Sequence, residues 1–477
     1  MNARASARPG TPRRASRGWP LCLAVCAACA GGPRATEDRA ARDPIDGVIE
    51  PVMAKLHVPG MGVAIVQGGA VEKLRGYGVA SLEWPTPVDA TTRFQIASST
   101  KVFTGTLVML LVQDGKLALD RSVSAYLPDA PAAWQGMTVR QLAAHAGGLP
   151  DDVDPALASV ADAYAALKGK PLRFPPGTQS RYGTGDFIVL AHAIETVTGQ
   201  RFDELLRARI FAPLGFTCTS FDHASQEGPV RTADVIGNRA TVYRWKGDRQ
   251  RSARYLYPEY TYASGGLFSC LADLARWAAA MDRHTLLTAE SERAMAAGFR
   301  IGEQDTGFGV VFSVGELRGR RWFGHSGGPA LADVLRLPDE QLTVIVLANQ
   351  QRLYPNLAAR IASELLPPAA PPPAGADADP AGSARLRQVA EQMQTGALDD
   401  AAFTSALRAE VVPMLREWGP LQLASLPALD RFVLASERRS DRGRVRTYRA
   451  GYGKTNGRWT FTLDDQGRIA DLDFAID

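Results

Sequence analysis

Cysteine and histidine are scarce in this chain of 477 residues. Three of the five cysteines lie between residues 22 and 29, so only Cys218 and Cys270 remain for the rest of the chain. These two either pair in an oxidising compartment or stay as separate buried thiols, and a disulfide-rich framework is excluded. The six histidines include no pair at the spacing of metal ligands, so the sequence predicts neither a metal site nor a cofactor.

A net positive charge is lacking outside the start of the chain. The formal net charge is +4, but residues 1–30 alone carry five arginines and no acidic residue. The remainder therefore has almost no net charge and offers no basic surface to neutralise phosphates, which argues against nucleic acid as a partner. Its hydrophobic content, 45% for the whole chain, is sufficient for a large buried core.

Residues 1–30 predict an export signal. Arginines precede the uncharged stretch GWPLCLAVCAACAGG, which is too short to span a bilayer. The small residues around Cys29 fit either ordinary signal cleavage or a lipoprotein-type anchor, and both alternatives stay open. We therefore expect an exported protein, either periplasmic, extracellular or anchored to the cell envelope, that contacts a membrane only through such an anchor.

Residues 367–384, PPAAPPPAGADADPAGSA, separate two folded regions. This stretch contains six prolines and no large apolar residue, so it predicts a semi-rigid linker. Residues 44–366 form the first predicted domain and residues 385–477 a small α+β domain, in which Asn456-Gly457 predicts a hairpin turn. From its position alone, we expect the second domain to bind the cell envelope or a protein.

The string FGHSGGP, residues 323–329, offers a serine with two known catalytic contexts. Gly324, Ser326 and Gly328 satisfy the G-x-S-x-G pattern of an α/β-hydrolase elbow. That fold needs its histidine after the nucleophile, and none follows His325. The string also differs by one residue from the GDSGGP of chymotrypsin-like proteases, with His145 upstream in the required order.

The chymotrypsin interpretation fails because that fold consists of two β-barrels. Residues 186–210 are predicted to be helical instead: Asp186 is expected to cap a helix that Gly199 ends, and Phe202–Ile210 predicts a second helix. We therefore expect Ser326 to support a nucleophile placed elsewhere in the chain.

A better nucleophile lies in FQIASSTKVFTGTLVMLLVQDG, where Ser98 precedes Lys101 by three residues. Residues at this spacing share one face of a helix, and the apolar residues that follow predict a buried helix ending near Asp114-Gly115. Burial disfavours the charged form of an amine, so such a lysine can act as a base toward the serine. An isolated S-x-x-K pattern also fits a helix cap beside an exposed lysine, so the remaining sequence must decide.

That remaining sequence resembles the penicillin-recognising serine hydrolase superfamily, in particular the branch of class C β-lactamases, D,D-peptidases and esterases. The similarity runs from Pro44 to Leu366 through FQIASSTKVFTG, VRQLAAHAGGLP, PPGTQSRYGTGDF, YASGGLFSCLADLARW and WFGHSGGP, all in the family's order. It implies a fold of the α/β (α+β) class, with an antiparallel sheet flanked by helices and a mostly helical subdomain. The first hairpin of this sheet is predicted at Gly68-Gly69.

The resemblance implies that Ser98 is the nucleophile and that Lys101 and Tyr182 move its proton to the leaving group. The family's middle motif, tyrosine-serine-asparagine, falls on Tyr182-Gly183-Thr184. Thr184 therefore stands where the family places an asparagine that orients lysine and substrate, and it supplies a shorter side chain with one donor instead of two.

His325, Ser326 and Gly327 align with the family's lysine-threonine-glycine motif, which lies on an edge strand beside the cleft. His325 is expected to complete the proton network or to bind an acidic substrate group, and Ser326 and Gly327 to contact substrate. The backbone N–H groups of Ser98 and Gly328 are expected to form the oxyanion hole. His145 is expected to order the loop that Gly147, Gly148 and Pro150 shape.

Together these assignments predict a hydrolase for a small-molecule or peptide substrate that acts through a Ser98 acyl-enzyme on an ester, amide or lactam. Because a histidine replaces the family's lysine, we expect an esterase or a D-amino-acid peptidase more than a true β-lactamase. The alternative is a noncatalytic cell-envelope binding protein on the same fold, which Thr184 and the C-terminal domain both permit.

Overall fold

A computed structural model of the protein describes residues 43–227, 230–328, 332–351, 357–367, 377–440 and 443–476. The predicted signal at residues 1–30 lies outside the described residues, as does most of the predicted linker, residues 368–376.

The helices of the described residues fall into three groups along the chain: one near the start, a large set between the first hairpin and the late strands, and a set after residue 356. They are α1 Asp46–Leu56, α2 Lys101–Gln113, α3 Val139–Ala143, α4 Val160–Lys168, α5 Gly185–Thr198, α6 Phe202–Leu206, α7 Leu271–Asp282, α8 Ala289–Ala296, α9 Leu357–Leu365, α10 Pro380–Thr395, α11 Ser405–Glu410 and α12 Val412–Gln422.

The strands form two main sheets and several short ribbons. They are β1 Gly60–Gln67, β2 Ala70–Gly78, β3 Phe94–Gln95, β4 Ser225–Glu227, β5 Val230–Thr232, β6 Val242–Lys246, β7 Arg249–Ala253, β8 Phe268–Ser269, β9 Arg300–Ile301, β10 Gln304–Asp305, β11 Ser313–Leu317, β12 Arg320–Gly327, β13 Ala332–Leu337, β14 Leu342–Ala348, β15 Arg431–Ser440, β16 Gly443–Tyr452, β17 Thr455–Leu463 and β18 Ile469–Ile476.

The larger sheet is antiparallel and joins the two ends of the first predicted domain. Its order is β11-β12-β13-β14-β1-β2, so the early strand β1 lies beside the late strand β14, with Met61 opposite Ala348. The predicted hairpin is confirmed: Gln67 pairs with Ala70, and Gly68 and Gly69 have φ of 58° and 76°. Glycine adopts this left-handed conformation without the strain that a Cβ would cause.

Alternation along the strands divides the core between the two faces of this sheet. In β14, Ile345 and Leu347 belong to a cluster with the buried helices α2, α5 and α7, whereas Val344 and Val346 belong to a second cluster with α1 and α9. The side chains of successive strand residues point to opposite faces, so a strand covered on both sides is apolar throughout. The inner strands of the six-stranded sheet are therefore buried between two layers, whereas the edge strand β2 is largely exposed.

The C-terminal sheet is a meander of four antiparallel strands in the order β15-β16-β17-β18. The predicted hairpin in GYGKTNG exists, but its turn is Gly453-Lys454, because Tyr452 pairs with Thr455 and Gly453 has a φ of 62°. The prediction that Asn456-Gly457 forms the turn is wrong, since both residues lie inside β17.

The second hydrophobic cluster continues into this C-terminal region. It contains Ile361 of α9 together with Met393 of α10 and Trp459 of β17, and α9 contacts β17 directly. Helix α10 begins at Pro380, inside the range 367–384 that the sequence assigned to the linker. Residues 43–477 accordingly group as one compact unit.

The helix predicted to begin at Asp186 differs at its start. Helix α5 spans Gly185–Thr198 and is preceded by Thr184, so Asp186 lies inside the first turn and is not the cap. Its carboxylate is buried and accepts hydrogen bonds from the peptide N–H groups of Gly147 and Leu149, at 2.9 and 3.2 Å. A tertiary contact thus uses the oxygen that a cap would have used. The predicted end at Gly199 is confirmed, with a φ of 68°.

Within the part of the chain that the structure describes, no helix combines the length and apolar character that crossing a bilayer requires.

Candidate active site

Ser98 lies in a tight turn between strand β3 and the buried helix α2. The turn, Ala97–Thr100, is a 3-10 helix, and Ala97 has a φ of 46°, which is strained for a residue with a Cβ. The hydroxyl of Thr100 donates to the Ala97 carbonyl at 2.7 Å and accepts from the Leu267 N–H at 3.2 Å. The two hydrogen bonds of the Thr100 hydroxyl thus stabilise the strained turn. Ser98 lies in this turn and is half-buried.

Lys101 begins helix α2 and is almost completely buried, with 1% of its surface exposed. Its Nζ donates to the Tyr182 Oη at 3.0 Å and to the Ser264 carbonyl at 2.7 Å. It also lies 5.0 Å from the ring centroid of Tyr182 and 4.7 Å from that of Phe187. The amine therefore has two defined acceptors in an otherwise apolar pocket, and the structure brings together Lys101 and Tyr182 as the sequence predicted.

Tyr182 stands on the loop before α5, and 46% of its surface is exposed. An aspartate fixes the residues that follow it: Asp151 Oδ1 accepts from the N–H groups of Thr184 and Gly185 at 2.6 and 3.0 Å. The other carboxylate oxygen pairs with Arg173 at 2.5 Å. Asp151 was not singled out from the sequence, because nothing in its local pattern indicates which distant backbone groups it contacts.

His145 packs against the tyrosine from the side. The two ring centroids are 4.4 Å apart, and the Gly183 N–H donates to His145 Nδ1 at 3.2 Å. A nitrogen that accepts carries no proton, so the neutral ring is protonated at Nε2. Burial and the nearby Lys101 hold the pKa of His145 well below its usual range. His145 thus contacts the loop of Tyr182 as well as the loop that the sequence assigned to it.

The end of strand β12 lies against the nucleophile turn. The Ser99 hydroxyl donates to the His325 carbonyl at 2.9 Å. A Cβ added to Gly327 would come within 2.0 Å of the Ile96 carbonyl oxygen and 3.3 Å of the Ser99 nitrogen, so only glycine fits there. The resemblance implied that this strand lies at the sheet edge. It does not, because β11 lies outside it. However, β11 pairs only as far as Gly324, which leaves residues 325–327 free to face the cleft.

The His325 side chain is buried beside this strand and is uncharged at neutral pH. Its Nδ1 lies 2.6 Å from the Ser326 carbonyl oxygen, which can only accept, so Nδ1 carries the proton and Nε2 is an acceptor. Burial and then the charge of Lys101 lower the pKa of His325 to about 3. A neutral imidazole offers no charge to a substrate carboxylate, which weighs against the expectation that His325 binds an acidic group.

Two buried imidazole nitrogens near Tyr182 have no hydrogen bond within the described residues. They are Nε2 of His145, which is a donor, and Nε2 of His325, which is an acceptor. The ring of Tyr182 is close to both histidines, with its centroid 6.0 Å from that of His325. The phenol that binds Lys101 is therefore flanked by one neutral donor and one neutral acceptor.

The other predicted site residues lie nearby, each on one of these segments. Thr184 directly follows the Tyr182-Gly183 pair, and its N–H is held by Asp151. Ser326 is half-buried on β12 and pairs with Asp333 of β13, while Gly328 is the first residue beyond that strand. Their contacts with substrate and their part in an oxyanion hole remain predictions.

The segment YASGGLFSC also reaches the site, since Ser264 supplies the carbonyl acceptor of Lys101. It continues into β8, which pairs with β3 next to Ser98, and ends at Cys270. Cys270 and Cys218 form a disulfide, which settles the alternatives that the sequence left open.

Asp273 lies close to this disulfide, and the three side chains together have the composition of a metal site. Both sulfurs are bonded to each other, however, and Asp273 accepts from the N–H groups of Thr217 and Cys218 at 3.1 and 2.8 Å. These atoms are thus already used for structural bonds.

Comparison with known proteins places this arrangement in a family. Residues 45–366 match the model of the family described as Beta-lactamase, and the chain belongs to that family. The membership confirms the resemblance, the fold class and the assignment to the serine hydrolases. Protein flp of Staphylococcus aureus (strain COL) is 28% identical over 243 residues, 49% of this chain and 47% of that protein. The chain thus spans about half the length of the curated relatives it matches.

Solved structures share the fold at low sequence identity. D-amino acid amidase from Ochrobactrum anthropi SV3, complexed with L-phenylalanine, gives a TM-score of 0.58 at 21% identity over 67% of this chain and 98% of the amidase chain. The octameric penicillin-binding protein homologue from Pyrococcus abyssi gives 0.59 at 19% identity over 91% of this chain and 98% of its own. The second likeness extends beyond residue 366, so it includes C-terminal residues.

Proposed function

We propose that this protein hydrolyses esters or amides that carry no carboxylate, including those of D-amino acids, through an acyl-enzyme on Ser98. The Ser98 oxygen attacks the substrate carbonyl and gives its proton to the Lys101–Tyr182 pair. Tyr182 then protonates the departing alcohol or amine as the carbonyl–heteroatom bond breaks. A water molecule releases the acid in the second half of the reaction, again through this pair.

The observation that carries the proposal is the contact of Lys101 Nζ with the Tyr182 hydroxyl at 3.0 Å, one helical turn from Ser98. A phenol in hydrogen-bond contact with a lysine amine can pass a proton to that amine and receive one from it, which is the exchange that this chemistry requires. The hydrogen bonds of this amine go to the Tyr182 hydroxyl and to the Ser264 carbonyl, and of these two groups only the phenol can exchange a proton with it.

The preference for substrates without a carboxylate rests on His325. Penicillins carry a carboxylate, and a family member with lysine at this position has a cation to receive it. Here the corresponding side chain is a buried imidazole whose pKa is lowered to about 3. Thr184, in place of asparagine, also removes one amide donor from the cleft. Both features favour esters and simple amides over lactams, and the likeness to a D-amino acid amidase agrees with this preference.

Covalent labelling tests the proposal directly. The protein is incubated with a fluorophosphonate or with a penicillin, and the intact mass is measured for the unmodified sequence, Ser98→Ala and Ser326→Ala. We expect a fluorophosphonate adduct in the unmodified protein and in Ser326→Ala but not in Ser98→Ala, with little or no penicillin adduct. The same preparations are assayed on p-nitrophenyl acetate, which only the proteins that form the adduct should hydrolyse.

Other results would contradict the proposal in distinct ways. An adduct lost only in Ser326→Ala would make Ser326 the nucleophile. A folded protein with no adduct would favour a noncatalytic binding protein on this fold, and a long-lived penicillin adduct would favour a penicillin-binding protein.

We further propose that the protein is exported. The arginine-rich start with its short apolar stretch supports export, and so does the Cys218–Cys270 disulfide, because such bonds persist in oxidising compartments. In that location residues 385–477 would face the cell envelope. Terminal sequencing of the mature protein tests this, together with palmitate labelling of cells carrying Cys29 or Cys29→Ser. Full-length protein found in the cytoplasm would contradict it.

A further inference from the structure

A cavity of about 530 Å³ lies on the side of the molecule where Tyr257 and Tyr262 flank the Ser264 segment in the chain. Three short stretches line it: residues 155–158 before helix α4, residues 223–225, and residues 256–259 with Tyr262. The volume lies within the range of small-molecule sites. None of these residues belongs to the catalytic group described above.

Tyr257 connects this cavity to the catalytic residues. Its ring lies against the backbone that follows Ser264, because a Cβ on Gly265 would come within 2.6 Å of Tyr257 Cε1, and one on Gly266 within 2.9 Å of Tyr257 Cβ. The neighbouring Tyr255 carbonyl accepts from Gln95 Nε2 at 3.0 Å, three residues before Ser98. Burial, and then the charge of Tyr182, raise the pKa of Tyr257 above its usual value.

Two polar side chains of the cavity wall, those of Glu259 and Ser225, are paired with groups of the protein, and a third, that of His223, lies near a carboxylate. Glu259 lies 3.1 Å from Arg201, and His223 lies 3.9 Å from Asp203. The Ser225 hydroxyl shares a hydrogen bond with Thr232 at 2.8 Å. An occupant would therefore find few free hydrogen-bonding partners there.

The remaining wall is apolar. Its side chains are those of Pro155, Leu157, Leu256, Pro258 and the rings of Tyr257 and Tyr262. Such a surface binds groups that gain by leaving water and disfavours charged groups, which would lose their hydration without a partner.

We propose that this cavity is a substrate subsite that accepts an uncharged apolar substituent, either an aromatic ring or a chain of about six to eight carbons. The proposal rests on the hydrolase function proposed above, and it specifies the substrate class: esters or amides that are apolar on at least one side of the carbonyl. The substituent would enter beside Tyr182 and Tyr257 while the carbonyl lies at Ser98.

The test compares substrates that differ only in apolar length. In the acyl series, p-nitrophenyl octanoate is compared with p-nitrophenyl acetate; in the leaving-group series, octyl acetate is compared with ethyl acetate in a pH-stat. We expect kcat/KM to be at least tenfold higher for the long member of one series in the unmodified protein. The series that shows the preference identifies the side of the substrate that the cavity holds.

Two cavity variants then show whether the cavity causes the preference for the long substrate. Ala158→Trp fills the cavity, and Leu157→Ser makes its wall polar; each should reduce the long-to-short ratio at least tenfold. Ala165→Trp, the same substitution on an exposed position of α4 outside the cavity, is the matched control and should leave the ratio within twofold. Circular dichroism and thermal unfolding show whether each variant is folded.

The outcomes separate this inference from the proposed function. Acetate hydrolysis with no preference for the long member of either series would overturn the subsite, and so would a preference that survives both Ala158→Trp and Leu157→Ser. Absence of acetate hydrolysis together with absence of a Ser98 adduct would instead overturn the hydrolase function on which it rests.

Discussion

The two main sheets of the protein are assembled in opposite ways. The C-terminal sheet pairs each strand with the next one along the chain, whereas the six-stranded sheet pairs β1 with β14, near residues 61 and 348. The catalytic group follows the second pattern, since Ser98, Tyr182, Ser264 and His325 come from widely separated segments. Contacts of long sequence separation form only when the intervening chain is in place. The site therefore depends on the whole region between the two strands.

The regions also differ in what their side chains do. In β17, buried and half-exposed residues alternate without a break, and Trp459 donates to the Tyr452 hydroxyl at 2.9 Å. Around Ser98 the chain instead keeps a left-handed alanine, buried nitrogens without partners and a buried lysine. Local departures from regular structure of this kind have an energetic cost and concentrate at functional sites.

The largest expected effect is on catalysis in the cleft. Tyr182→Phe removes the hydroxyl that Lys101 contacts and keeps the ring that packs on His145. Because the proton-transfer group is lost, we expect kcat/KM for p-nitrophenyl acetate to fall about 10²- to 10⁴-fold while the melting temperature changes little. Tyr257→Phe is the comparison variant and should lose less than tenfold. Near-normal activity in Tyr182→Phe would remove the tyrosine from the mechanism.

The next effect is on the C-terminal sheet. Trp459→Ala removes a fully buried indole from the cluster that this sheet shares with α9, and we expect it to lower the free energy of unfolding by about 3–5 kcal/mol. Since the cluster continues into the hydrolase region, ester hydrolysis and tryptophan fluorescence should be lost together in urea. Activity that survives after the fluorescence transition would show that the two sheets unfold independently.

A pH-dependent loss of stability is expected from Asp186, which joins the His145 loop to α5. Burial raises the pKa of Asp186 to about 7, so the folded protein binds this proton more tightly than the unfolded chain. The protonated carboxyl of Asp186 stabilises the folded protein fully below pH 4. This stabilisation is lost as the pH rises through 7, which lowers the free energy of unfolding by up to about 4 kcal/mol. Urea unfolding between pH 5 and pH 8 should show a smaller decline in Asp186→Asn. An identical decline in both proteins would exclude Asp186 as its source.

The smallest effect is expected from the disulfide, which closes a loop between residues 52 apart. Replacing both cysteines by serine should lower the free energy of unfolding by about 2–4 kcal/mol through greater freedom of the unfolded chain. Dithiothreitol should destabilise the unmodified protein by a similar amount and leave Cys218→Ser/Cys270→Ser unchanged. Equal sensitivity of both proteins to dithiothreitol would argue against the bond.

Local patterns predicted a few elements of the regular structure correctly, among them the buried helix that ends near Asp114. The Gly68-Gly69 hairpin and the end of α5 at Gly199 depend on backbone conformations that only a few residue types adopt easily. The same reasoning failed at Asp186, whose carboxylate binds a distant loop, and at Asn456-Gly457, where the register places the turn at Gly453. In both cases a tertiary or cross-strand contact overrode a local preference.

Only those residues of the candidate site that lie in the family's sequence motifs could be predicted. Ser98, Lys101, Tyr182 and His325 were recognised through the family resemblance, and the structure brings Lys101 and Tyr182 into contact. Asp151 and the carbonyl of Ser264 were missed, since backbone hydrogen bonds between distant segments leave no mark on the local sequence. The protonation of His325 was equally hidden, because it follows from burial and from the neighbouring lysine.

The cluster shared by α9 and the C-terminal sheet has a consequence for the solubility of the protein. A chain that ended near residue 366 would retain Ser98, Lys101, Tyr182 and His325, yet it would expose to water the apolar side chains that now contact residues 386–476. Exposed patches of this kind cause proteins to self-associate. The C-terminal residues therefore keep these apolar side chains of the preceding region out of water.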